Sequence, residues 1–139
     1  TLARMGDLAT HIAKTTRMRY PMEVVPKELR GLVVDMGAVA SRMIANTAVA
    51  LTRRDTSAAR SLRDMDREMD RLYRELFIIV LSPAWEYGVQ AAVDITLLGR
   101  YYERFADHAV TIGDRLVHVA TGIQDPPVPR QVNGPVNPR

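Results

Sequence analysis

Two stretches of the 139-residue chain set carboxylates four residues apart: Asp66 and Asp70 in Asp66-Arg67-Glu68-Met69-Asp70, and Glu103 and Asp107 in Glu103-Arg104-Phe105-Ala106-Asp107. On a helix, residues four apart stand side by side, so each pair holds two like charges on one face. Like charges at that spacing repel, and something must offset them. Two carboxylates from each of two facing helices are what a hard, oxygen-seeking cation such as Mg²⁺, Mn²⁺ or iron requires.

A blander reading competes with this one. Arg63 and Arg67 lie within three residues of Asp66 or Asp70, Arg74 lies four beyond Asp70, and Arg100 and Arg104 flank Glu103 and Asp107. Ion pairs of that kind contribute only about 0.2–0.5 kcal/mol each, yet they would make both motifs an ordinary solvated face. Asp114 with His118, and Asp7 with His11, repeat the four-residue spacing and could add imidazole to a transition-metal site. No Glu-x-x-His spacing of a di-iron bundle accompanies them, and they read as surface histidines. Ser41, Ser57, Ser61 and Ser82 sit in no elbow motif, and no glycine-rich phosphate loop or dinucleotide fingerprint occurs.

The elements that must position these acids are helices. From Lys27 to about Arg53, Leu29, Leu32, Val33, Met36, Val39, Ala40, Met43, Ile44 and Thr47 follow the three-four spacing of one helical face. From about Thr56 to Leu81 the same rule picks out Leu62, Met65, Met69, Leu72, Tyr73, Leu76 and Val80, with Asp55 or Thr56 as the cap. A third helix is predicted from near Pro83, a residue suited to a first turn, to about Thr121, where Gly122 supplies a stop. Gly88, Gly99 and Gly113 fall inside it and mark close helix approach or bends. The methionines, Met22, Met36, Met43, Met65 and Met69 among them, are expected mainly in the core. No stretch alternates apolar and polar residues over strand-like lengths, so the fold class is all-α, with antiparallel neighbours joined by short loops.

Composition narrows the chemistry further. An apolar share of 47% against 25% charged residues is that of a chain folding around a core. Without cysteine, a disulfide framework, a thiolate zinc site and a Cys nucleophile are excluded. The net charge of +3 rests on arginine, with Lys14 and Lys27 the only lysines, and basic and acidic residues alternate rather than forming the stripe of a nucleic-acid binder. The longest unbroken apolar run, Leu76 to Ser82, is too short to span a bilayer, and the first residues lack a signal-peptide pattern. The chain therefore reads as soluble and cytoplasmic, with no nucleic acid as partner and no direct membrane insertion.

An internal repeat organises the chain. Arg4-Met5-Gly6-Asp7-Leu8-Ala9-Thr10-His11-Ile12-Ala13 aligns without gaps on Arg104-Phe105-Ala106-Asp107-His108-Ala109-Val110-Thr111-Ile112-Gly113 at an offset of 100 residues. On this reading residues 1–20 are the end of a truncated first three-helix repeat and residues 21–122 are a complete second one. Residues 123–139, rich in proline, are an extended tail. A half-repeat would expose the apolar face of Leu2, Met5, Leu8 and Ile12 together with the long helix, which favours a homo-oligomer.

The run Ala92-Val93-Asp94-Ile95-Thr96-Leu97-Leu98-Gly99-Arg100-Tyr101-Tyr102-Glu103-Arg104-Phe105-Ala106-Asp107-His108-Ala109-Val110-Thr111-Ile112 resembles the signature helix of the PhoU family of phosphate-signalling regulators. Asp66 to Phe77 is similar to that family's other acidic motif, and the tandem three-helix architecture agrees with the repeat. The resemblance implies an antiparallel three-helix bundle of the PhoU type and a protein that is no enzyme. It implies an adaptor that restrains a phosphate transporter ATPase and a phosphate sensor histidine kinase when phosphate is plentiful. It also implies divalent or ferric metal ions (Fe, Mn, Mg or Zn) on Asp66, Asp70, Glu103 and Asp107. Ala3 stands where the repeat has Glu103, so the equivalent motif of the preceding unit keeps Asp7 but lacks its glutamate. Two other classes compete: a metal-dependent carboxylate-bundle enzyme with water on an open coordination position, and a scaffolding bundle with no ligand.

Overall fold

A computed structural model describes residues 1–122; the expected proline-rich tail lies outside the described residues. Four α-helices follow one another: α1 (Leu2–Arg17), α2 (Arg30–Arg53), entered through a single 3₁₀ turn at Lys27–Leu29, α3 (Thr56–Val80) and α4 (Gly88–Thr121). The described residues hold no strand, as the periodicity predicts.

Local chemistry sets most of the boundaries. Asp55 caps α3, its Oδ1 accepting from the amides of Ser57 at 2.9 Å and Ala58 at 3.0 Å. Arg54, in the left-handed region at φ 52°, closes α2 and leaves no linker to spare, so α2 and α3 form a hairpin. Gly122, at φ 68°, ends α4 as expected, its amide donating to the His118 carbonyl at 2.8 Å.

The predicted start of the third helix at Pro83 is corrected. Residues 81–87 form turns, and α4 opens five residues later at Gly88, whose φ of 80° suits glycine. The Ser82 side chain accepts from the Ala84 amide at 3.1 Å, the Trp85 amide closes a turn onto the Ser82 carbonyl, and the Trp85 indole donates to the Gly88 carbonyl at 2.9 Å. These local bonds hold the segment in turn geometry that a helix would have to break. The resulting α4 has 34 residues, about 50 Å of rod.

Helix α4 packs against all three other helices, and α3 lies against both α2 and α4. Met5, Leu29, Met36, Met43, Leu62, Met69, Leu72, Leu76, Ile95 and Leu98 are fully or almost fully enclosed between them. Two expected core members differ: Ile44 is 40% exposed, just off the stripe that Met43 and Thr47 bury, and Met22 lies exposed outside the helices. The expected exposure of the α1 apolar face is also corrected. Met5 and Leu8 are buried against α4 and Ile12 half-buried, leaving Leu2 as the exposed member of that set. Against the expectation from unbroken apolar runs, Lys27–Arg53 is long and apolar enough, by length and composition, to cross a membrane. Its Leu32, Met36, Val39 and Met43 are buried in the bundle, while Val34, Ile44 and Leu51 of the same helix are exposed.

Gly99 and Gly113 act by close approach and not by bending. A Cβ on Gly113 would stand 2.8 Å from the Ala59 carbonyl oxygen, and one on Gly99 would stand 2.9 Å from the Tyr73 ring. Their absent side chains let α3 and α4 pack closely along most of their length. The same contacts fix the two helices as antiparallel and set their register.

Candidate functional site: an acidic seam between α3 and α4

That register decides where the sequence-predicted acids fall. With Ala59 and Leu62 beside Gly113, and Tyr73 and Leu76 beside Gly99, Asp66 stands at the level of Asp107 and Asp70 at the level of Glu103. Their flank is fixed as well. Arg63 of α3 donates from Nε to Asp114 Oδ1 of α4 at 2.9 Å across the helix pair. Asp66 and Asp70 recur on the Arg63 side of α3 at three and seven residues, and Asp107 and Glu103 on the Asp114 side of α4 at seven and eleven. All four carboxylates thus belong to one seam. Asp66, Glu103 and Asp107 are half-buried and Asp70 is exposed.

The side chains along the seam are not assembled around one point. Among the described residues, no three His, Asp or Glu side chains gather as a group able to hold a metal ion. Glu103 accepts from Arg100 Nη1 at 2.6 Å, with only 13% of its side chain exposed. Burial pushes the Tyr73 phenol above its ordinary range, with Glu103 adding to that shift and Arg100 opposing it, which sets this end of the seam against α3. Carboxylate oxygens are the donor type that a hard cation takes, and the four lie at matched levels along the seam.

Several of the neighbouring arginines have defined partners. Arg100 does take Glu103, but Arg67 pairs with Asp64, and Arg74 donates to the Asp70 backbone carbonyl at 3.3 Å. Arg104 makes no ion pair with any described residue and lines a groove facing α1. The members of the carboxylate and imidazole pairs have other contacts: Asp114 is taken by Arg63, Asp7 pairs with Arg4 at 3.5 Å, and the His11 ring stacks on Tyr101 with centroids 5.3 Å apart.

One charged residue escaped notice in the sequence. Asp94 is buried at 6% exposure and is held by Arg19, Nε to Oδ2 at 3.0 Å and Nη2 to Oδ1 at 3.3 Å. The available signal was an aspartate inside the apolar run Ala91-Ala92-Val93-Asp94-Ile95, since a charge on such a stretch requires a partner.

The fold and seam define a helical bundle in which two antiparallel helices carry acidic residues along one flank, and likeness to known proteins specifies the family. The PhoU domain model matches residues 33–116, and the chain belongs to the PhoU family. It is 46% identical over 119 residues to the phosphate-specific transport system accessory protein PhoU homolog 1 of Mycobacterium leprae, covering 86% of this chain and 54% of that relative. Homolog 2 of Mycobacterium tuberculosis is 44% identical over 119 residues, covering 86% and 56%. The homolog of Zymomonas mobilis is 31% identical over 133 residues, covering 90% and 53%. The chain spans about half the length of these curated relatives. No solved structure matches it.

Proposed function

We propose that this chain regulates phosphate uptake and phosphate signalling as a cytoplasmic, non-enzymatic adaptor. In this reading it restrains a phosphate transporter ATPase and a sensor histidine kinase when phosphate is plentiful. The observation that carries the proposal is family membership, with relatives named as accessory proteins of a phosphate-specific transport system. The α2–α4 unit is then one whole three-helix repeat, and α1 the last helix of a preceding one. Self-association falls to apolar residues that remain exposed, Val89 and Val93 of α4 among them. A pull-down with the cytoplasmic part of the kinase and with the transporter ATPase, at high and low phosphate, tests the adaptor role. Binding favoured at high phosphate is expected, and no binding under either condition would overturn it.

The metal belongs to the same proposal. Asp66, Asp70, Glu103 and Asp107 would hold a divalent or ferric ion on the α3/α4 seam, and the matched levels of the four carboxylates support it. A bound cation would neutralise the like charges and draw α3 and α4 together. Metal analysis of the purified chain beside an Asp70→Asn, Asp107→Asn variant tests this. Stoichiometric metal in the parent and loss in the variant are expected; equal, substoichiometric metal in both would remove the metal from the reading while leaving the adaptor role standing.

A further inference from the structure

The other flank of α4 carries the opposite charge. Helices α1 and α4 run antiparallel, as His11 against Tyr101 and Arg19 against Asp94 require. Between them lies an open groove of about 420 Å³, lined by Arg4, Asp7 and His11 from α1 and by Tyr101, Arg104 and His108 from α4, with Leu8 at its floor. The 100-residue repeat makes Arg4 and Arg104 equivalent positions, and the antiparallel pairing brings these equivalents to the same groove from opposite helices, as a two-fold axis would.

We propose that this groove binds a phosphate-type oxyanion between Arg4 and Arg104. Two guanidinium forks face it, and the one carboxylate present, Asp7, is 3.5 Å from Arg4 with both partners exposed, a weak pair that an incoming anion can replace. Arg104 has no ion-pair partner among the described residues, so its donors are not already committed to a carboxylate. Planar forks reaching in from two sides match the tetrahedral oxygens of phosphate better than a point charge does. His11, His108 and Tyr101 line the same space, with the His11 ring stacked on Tyr101. None of the four seam acids lines the groove, so anion and cation would be held on separate edges of α4.

The test is calorimetric titration of the whole chain with inorganic phosphate and, separately, with glycerol phosphate as a phosphate monoester, at fixed ionic strength. Saturable one-to-one binding of at least one of them is expected, and which one binds tells free phosphate from an esterified phosphoryl group. Arg104→Gln and Arg4→Gln should each weaken it about tenfold, the usual effect of losing a charge-assisted hydrogen bond, while Arg115→Gln, elsewhere on α4, should leave it unchanged. Helical circular dichroism identifies a variant that fails to fold, and the exposed Arg4 variant stands in for Arg104 in that event. No saturable binding of either anion, or equal weakening by Arg115→Gln, overturns the proposal. The metal and pull-down results do not enter this outcome.

Discussion

Arg19 and Asp94, 75 residues apart in sequence, form a two-point ion pair in which the carboxylate is almost wholly enclosed and the guanidinium one-third exposed. The pair fastens the segment after α1 to the first third of α4. Arg19→Met would strand a buried charge and should cost about 1–3 kcal/mol, whereas Arg19→Met combined with Asp94→Leu should cost clearly less, because the stranded charge is gone. Urea unfolding of the parent, both single variants and the double variant measures the coupling directly. A double variant as unstable as the sum of the singles would deny it.

Gly113 and Gly99 lead to a graded prediction. A methyl on Gly113 meets the Ala59 carbonyl oxygen, which is backbone and cannot yield without shifting α3, whereas one on Gly99 meets side-chain atoms of Tyr73 and Leu76. Overpacking costs about 1–3 kcal/mol, partly offset by the roughly 1 kcal/mol that alanine gains over glycine in a helix. Gly113→Ala should therefore destabilise by about 1–2 kcal/mol and Gly99→Ala by less. Gly6→Ala, with open space around it, should stabilise by up to about 1 kcal/mol. Thermal denaturation of the three variants checks the order.

Tyr87 and Glu28 yield a prediction in pH. The Tyr87 hydroxyl donates to the Glu28 carboxylate, which raises the phenol to about 12 and lowers Glu28 below its usual range. Between the ordinary phenol value near 10 and the raised one, the folded chain keeps a proton that the unfolded chain has released, so stability falls as pH rises through that window. For Glu28 the sign is opposite, and stability falls as acid protonates the carboxylate below its ordinary value. Carbon NMR of the tyrosine ring should place Tyr87 near 12 and return it toward 10 in Glu28→Gln; an unchanged midpoint in that variant would count against the bond.

Metal should register as heat resistance. If the seam acids hold a cation only in the folded chain, excess Mn²⁺ or Mg²⁺ raises the unfolding midpoint in proportion to the logarithm of its concentration, by about 2.7 kcal/mol of stability at a hundredfold excess over Kd. Asp70→Asn with Asp107→Asn should abolish that rise. An equal rise in the variant would assign the effect to some other part of the surface.

Residue periodicity made the helices and their faces legible, down to the Asp55 cap and the Gly122 stop, because both are local signals. It failed at Pro83, where the Ser82 and Trp85 hydrogen bonds favour a turn over the helix that proline alone would permit. It also left the long-range partners of the charges unread. Periodicity says which residues share a face but not at what height two faces meet, so Arg63 could be assigned to the nearby acids but not to Asp114, 51 residues away. The acidic pairs were visible in sequence; their matched levels rest on Gly99 and Gly113, whose contacts only the packed helices disclose.

Because α4 is one unbroken rod, Glu103 and Arg104 are neighbours in the chain yet look out from different sides of it. The helix therefore behaves like an axle with a negative rim and a positive rim. A charge altered on one rim therefore leaves the residues of the other rim in place on the same rigid element.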